Sequence, residues 1–344
     1  MALKFIDGFD HYTDAFVAKM WNQGKFSTAN GVVAAGVGRN GTAGWTRAWR
    51  DGLAHNFGGT EDTVIFGGAF KLNTLATTAG IEIIWWMGEG TGRVHTELIW
   101  NESTGKLFVR RAGTAITGDG TAVLVAGVWY YLEMKVTISD TGSVVVKVNG
   151  ITDISASPVD TRNAATGYCD TIVLGGQGGS AGGDIVMDDI YVCDDTGGTN
   201  NDFLGDIRVE ALLPNGNGNS SQFDGSDGNT TDNYLLVDDA TPNDDTDYVE
   251  SPDSGDKDTY AYGNLASSTG SVYGVQICPY ARKTESGIRN LKTVARLSGT
   301  ETDGPERPVG DSYAYLPDVR ETKPGGGAWS ISDVNSAEFG QKVV

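Results

Sequence analysis

Glu97 and Glu102, in the run ELIWNE, are the carboxylate pair whose spacing invites a catalytic reading. Retaining hydrolysis of a glycosidic bond needs two carboxyl groups about 5–5.5 Å apart. On an uninterrupted strand these two glutamates point to opposite faces, and the Asp that would complete an alternating Glu-Asp-Glu face is absent. His11, His55 and His95 are the only histidines, and none stands beside a Gly-x-Ser-x-Gly elbow, so a nucleophilic triad has no candidate. Three histidines without paired cysteines also make a poor zinc site. On these grounds the chain is expected not to be an enzyme.

Two other constellations bear on binding. Between Asp224 and Asp258 twelve carboxylates face one base, Lys257, and Asp238, Asp239, Asp244, Asp245 and Asp247 are the set whose oxygens could surround a hard cation such as Ca²⁺. The order of acids and glycine of an EF-hand is missing, and solvated turns are the ordinary reading, so no cofactor is expected beyond this candidate calcium. The run Gly175–Asp189 is a single imperfect glycine-rich copy, which cannot stack as a β-roll; Asp188 and Asp189 read as acceptors for turn hydrogen bonds. Trp85, Trp86, Trp100, Asn101 and Glu102 form a candidate carbohydrate patch, because indole stacks on the apolar face of a sugar while carboxylates and amides bond its hydroxyls. Trp85 and Trp86 are adjacent and must point to opposite faces, one to the core and one outward. Core or inter-subunit packing is the plainer use of the same residues.

The elements that must position these groups are strands. From Trp129 to Ile151 an alternating strand, a turn at Asp140–Gly142, a second strand and an Asn149-Gly150 reversal spell a β-meander. Leu132, Met134, Val136 and Ile138 share one face, and Glu133, Lys135 and Thr137 the other. Further strands are expected at 4–9, 63–72, 80–87, 107–111, 170–175 and 184–193. In the second half they fall at 207–213, 234–237, 258–263, 271–282, 288–297, 311–319 and 341–344, with one short helical turn at 333–339 capped by Ser332 or Asp333. The chain has 344 residues, which suggests two domains, and its 49 glycines suit short strands and tight turns better than long helices. The polar run 194–202 reads as the linker, giving domains at 1–198 and 199–344.

The formal charge is −20. It repels phosphate, so nucleic acid and anionic membrane surfaces are not expected partners. Cys169, Cys193 and Cys278 are an odd, sparse set and no disulfide framework; buried free thiols are the expected state of the first two, although they could pair. The start MALKFIDGFDHY has no apolar core of signal-peptide length, and no run approaches a membrane span.

Three segments of the first half, FIDGFDHY (5–12), the meander 129–150 and MDDIYVCD (187–194), resemble the concanavalin A-like, LamG-type jelly rolls of tailed-phage virion proteins. FLGDIRVEALLPNGNG (203–218), DTDYVESPDSGDKDTYA (245–261) and AWSISDVNSAEFGQKV (328–343) look like a segment found beside such jelly rolls. The resemblance implies an all-β chain with an N-terminal jelly-roll sandwich and a smaller antiparallel sandwich after it. It also implies a virion structural protein, such as a tail fibre, tail-tip or capsid decoration protein, made in a bacterial cytoplasm. Such proteins are homo-oligomeric, commonly trimeric, dock to other capsid or tail proteins, and some bind host surface polysaccharide. A polysaccharide-degrading hydrolase or lyase on the same fold, and a free-standing lectin, are the alternatives.

Overall fold

The computed structural model describes residues 1–22, 24–25, 31–48, 52–74, 80–90, 92–175 and 184–344. The chain divides into two compact units, Met1–Val209 and Glu210–Val344, so the division falls after the expected linker rather than within it.

In the first unit the described strands are β1 (Leu3–Asp7), β2 (Gly24–Lys25), β3 (Gly31–Ala34), β4 (Gly44–Ala48), β5 (Gly52–Asn56), β6 (Thr63–Leu72), β7 (Ile81–Glu89) and β8 (Arg93–Asn101), then β9 (Lys106–Arg111), β10 (Thr114–Ala115), β11 (Trp129–Thr137), β12 (Gly142–Val148), β13 (Ile151–Val159), β14 (Thr171–Gly175) and β15 (Asp184–Asp194). They form two antiparallel sheets. The first runs β13-β12-β11-β6-β15-β4-β3, with β1 also on β15, and the second runs β10-β9-β8-β7-β14-β5-β2. Strands far apart in sequence are neighbours in both, the kind of crossing expected of the antiparallel sandwich that the resemblance implies.

The period-two pattern sorts the side chains. In the meander Leu132, Met134 and Val136 pair with Val148, Val146 and Val144, and all six are buried. Glu133 lies on the opposite face with Lys135, as expected, and there it is fully buried. The residues after β15 cover it, because Asp195–Val209 packs on this sheet instead of leaving as a linker: Gly205 N donates to Glu133 Oε1 at 2.8 Å. Between the sheets, the ring of Phe66 on β6 meets Trp85 on β7 edge to face, with centroids 4.7 Å apart. Near the start of the chain Asp7 accepts from Phe9 N, Tyr12 Oη and Trp21 Nε1, which fixes the turn after β1 and gives a buried carboxylate three donors.

The second unit is also antiparallel β. Its main sheet joins β16 (Pro214–Ser221), β17 (Lys257–Tyr262), β20 (Glu338–Val343), β18 (Asn290–Leu297) and β19 (Thr300–Asp303) in that spatial order. Short ribbons add to it, including Val275–Ile277 with Asp318–Arg320 and Tyr280–Ala281 with Ala314–Tyr315. Ile277, Ala295, Leu297, Trp329, Val334, Ala337 and Phe339 make its core.

Three local expectations are corrected here. Residues 207–213 are not a strand; the sheet begins at Pro214, in PNGNGNSS. Asn and Gly have poor strand propensity, but a Cβ at Gly218 would lie 2.5 Å from the Thr259 carbonyl oxygen, so close approach of two backbones selects glycine. Asn233–Leu236 is a 3-10 turn rather than a strand. The helix near the C-terminus is Ile331–Ser336, capped by Ser330 with Asp333 as the reciprocal partner of a capping box, so Asp333 closes the cap instead of starting the helix.

Candidate functional site

The second sheet's outward face carries the chemistry. Cross-strand register places Arg110, Glu97, Trp86, Val173 and Ala54 in one row across β9, β8, β7, β14 and β5. Phe108, Ile99 and Ile83 form the adjacent row. Ala54, Ile83, Trp86, Ile99 and Val173 pack as an apolar cluster distinct from the inter-sheet core, with Ile81, Val94 and Phe108 half-buried around it. All five of the cluster are 0–5% exposed, so this outward face is covered at its centre and more open toward Phe108 and Arg110, which are half-buried. At its β9 side Arg110 Nη2 donates to Glu97 Oε1 at 2.9 Å, and the Gly113 amide donates to Glu97 Oε2 at 2.9 Å. Both oxygens of this carboxylate are thus held, one of them by the guanidinium.

The expected carbohydrate patch is divided. Trp85 and Trp86 do point to opposite faces, with a register shift between Ile83 and Trp85, but both are buried: 0% and 5% exposed. Trp85 belongs to the inter-sheet core against Phe66, and Trp86 to the outward apolar row. Trp100 pairs with Glu82, whose carboxylate meets Arg47 from β4, so it too lies between the sheets. Asn101 and Glu102 are half-exposed in the β8–β9 turn, where Asn101 Oδ1 takes the Ser103 amide and the Glu102 amide bonds the Gly80 carbonyl. Burial raises the Glu102 carboxyl above its usual range. The five residues therefore share no single exposed platform. Glu97 and Glu102 are separated as well, the first in the outward row and the second past the strand end.

The acid-rich loop distributes its carboxylates among protein donors. Asn243 Nδ2 bonds Asp239 at 2.6 Å and Asp247 at 3.0 Å. Asp244 accepts from Tyr280 Oη at 3.0 Å, and Asp245 from Arg282 at 2.8 Å and Tyr313 Oη at 3.0 Å. Hydrogen bonds from Arg282 and Tyr313 hold the Asp245 carboxyl below the usual range. Asp238 is half-buried and outside these contacts. Among the described residues no group of three or more His, Cys, Asp or Glu side chains is arranged to hold a metal ion.

The histidines serve packing. His55 stacks on Phe5 at 3.8 Å and burial drives its imidazole down to about 3. Burial lowers His11 also, and His95 lies 3.2 Å from Glu89 with its other ring nitrogen accepting the Asn163 amide. Cys169 and Cys193 are buried and not joined by a disulfide, and desolvation pushes the Cys169 thiol up to about 12.

Sequence reasoning missed Arg110 and Phe108, whose signal was available: in KLFVRR positions 106, 108 and 110 alternate with the inward Leu107 and Val109. It also missed Asp10 and Arg39, which meet Asp188 and Asp189 only through the fold.

No family model matches the chain, and no curated protein matches it. Among solved structures, an endo-β-1,4-glucuronan lyase from the fungus Trichoderma reesei is similar with a TM-score of 0.42 and 15% identity, covering 56% of this chain and 95% of that one. Alginate lyase Aly36B gives 0.39 and 12%, covering 60% and 98%, and the cellulose induced protein Cip1 gives 0.37 and 14%, covering 49% and 85%. Against the expectation that the chain is not an enzyme, the similar structures include lyases of glucuronan and alginate.

Proposed function

We propose that the chain is a polysaccharide-degrading protein whose first unit seats a glycan on the outward face of the second sheet. One observation carries this reading: an apolar row containing an indole ends in a carboxylate–guanidinium pair on a face that the fold turns away from its core. Phe108, half-buried at the edge of the apolar cluster, supplies surface for the apolar side of a sugar, and Lys106 and Asn101 flank it from the next register positions. Glu97 has no second carboxylate beside it in the row, so hydrolysis by an acid pair is poorly served. Elimination fits better. Arg110 would balance the charge of a uronate carboxylate, and Glu97, released from the guanidinium, would take the proton next to that group as the glycosidic oxygen leaves on the neighbouring carbon.

The test incubates the full chain with glucuronan, alginate and neutral glucans, and measures unsaturated and reducing ends separately. Unsaturated ends from a uronate polymer, reduced about 100-fold or more in Glu97→Gln, are expected. A folded protein that releases neither kind of end from any polymer, or a Glu97→Gln variant of full activity, would sink the assignment.

A second reading, a particle component that assembles through its own copies, is favoured by one corner of the first unit. Val123, Val125, Val128 and Ile151 are 54%, 51%, 43% and 75% exposed there. The Asp153 carboxylate takes the Thr121 and Ala122 amides, and Tyr130 Oη takes the Val125 amide, which brings the 121–128 segment beside the β12–β13 turn.

A further inference from the structure

Residues 202–209 form a strap across the first sheet's outward face. Asp202 pairs with Lys135 at 3.2 Å, the Phe203 ring lies under Lys147 Nζ at 4.0 Å, and the Leu204 amide donates to Tyr191 Oη at 3.2 Å. Gly205 N bonds Glu133, Arg39 Nη2 donates to the Ile207 carbonyl at 2.6 Å, and Val209 N donates to Asp189 Oδ1 at 2.8 Å. Leu204 and Ile207 are buried, and so are Tyr131, Glu133 and Tyr191 on the sheet beneath.

The strap's far end is fastened at a bulge in β15, where Asp188 and Asp189 adjoin. Asp189 has a φ of 51° and its Oδ2 lies 2.8 Å from Arg39 Nε. Asp188 Oδ1 accepts the Asp189 amide and Oδ2 accepts the Arg39 amide, both at 2.7 Å. Oδ2 also lies 3.0 Å from Thr42 Oγ1, which is 2.6 Å from the Arg39 carbonyl oxygen. A hydroxyl carries one proton and a carbonyl can only accept. With the Thr42 proton directed at the shorter contact, a hydrogen between Thr42 and Asp188 would have to come from Asp188.

We propose that Asp188 is a neutral carboxylic acid in the folded chain and that its ionisation loosens the 202–209 strap, making it a pH-sensitive cover over Tyr131, Glu133 and Tyr191. Burial, and then the adjacent Asp189, push the Asp188 carboxyl up to about 8. The surroundings cannot absorb another negative charge. Asp189 is on the same strand, Asp7 and Asp10 come from the N-terminal turn, Glu133 from β11 and Asp206 from the strap, against Arg39 from the 38–43 turn and Arg208 from the strap. Asp10 is itself raised to about 6, chiefly by burial. Once ionised, Asp188 repels Asp189, which holds Val209, and competes for the one guanidinium that holds Ile207 and Asp206.

Hydrogen exchange on the full chain from pH 6 to 9.5, corrected for the chemical exchange rate, reads the strap directly. The amides of Leu204, Gly205 and Val209 should lose protection about 10-fold or more through pH 8. In Asp188→Asn, which stays neutral and can still donate to Thr42, they should keep it. Carbon-13 titration of the wild-type Asp188 carboxyl needs no variant and should show a midpoint near 8. A midpoint below about 5, protection that is flat with pH, or an unchanged pH response in Asp188→Asn would each overturn the proposal.

Discussion

His55 and Asp188 are both buried titratable groups, and burial moves both toward their neutral forms, with opposite consequences for stability. The His55 imidazole is held down at about 3 against an ordinary value of 6.5. Below pH 6.5 the unfolded chain therefore binds a proton that the folded chain refuses, and stability falls as the pH drops toward 3. The loss is on the order of 4 kcal/mol across that window, taking 1.36 kcal/mol for each pKa unit. Asp188 is raised from 3.8 to about 8, so its contribution is fully present below 3.8 and is lost as the pH rises through 8. A stability maximum between the two follows. Thermal unfolding at pH 4 and pH 7 should show His55→Asn losing less on acidification than wild type; an equal loss in both would show that the imidazole does not set the acid limb. Neither shift was legible in the chain, because FID and LAHN do not say that Phe5 and His55 will stack.

Strands with period two could be placed from the sequence, and the reason is local. Thr63–Leu72 has the expected bounds, and the meander turns at Asn149 and Gly150 with φ of 51° and 78°, the left-handed pair a two-residue hairpin needs. Gly150→Ala should therefore cost about 1–2 kcal/mol, read as a lower urea midpoint at unchanged slope, since nothing but the backbone angle opposes the methyl group. An unchanged midpoint would mean that the hairpin relaxes around it. Gly340 shows what local pattern hides. A Cβ there would lie 1.9 Å from the Asp258 carbonyl oxygen, a demand set by a strand more than eighty positions earlier. The candidate site fails to show itself for the same reason. Alternation separates Trp85 from Trp86, but it does not reveal that the outward side of this sheet is apolar too, which depends on Ala54, Ile99 and Val173 arriving from three other stretches of chain.

At the scale of the molecule the formal charge of −20 opposes both readings of function, and it does so in ways that salt can separate. A polyuronate approaching the Arg110–Glu97 row meets a repulsive field reaching roughly 30 Å at 0.01 M salt and roughly 8 Å at 0.15 M. Release of ends from a uronate polymer should therefore rise several-fold over that range through a falling KM, while kcat stays level and a neutral glucan shows no trend. Copies meeting at the Val123, Val125, Val128 and Ile151 corner repel one another by the same charge but gain from apolar burial, which salt does not weaken. Their mass in solution should then grow with salt, and a contact stable enough to isolate should bury about 1,000 Å² or more. A mass that stays at one copy throughout would remove assembly as a function of this corner, and uronate cleavage indifferent to salt would show that the field does not reach the site.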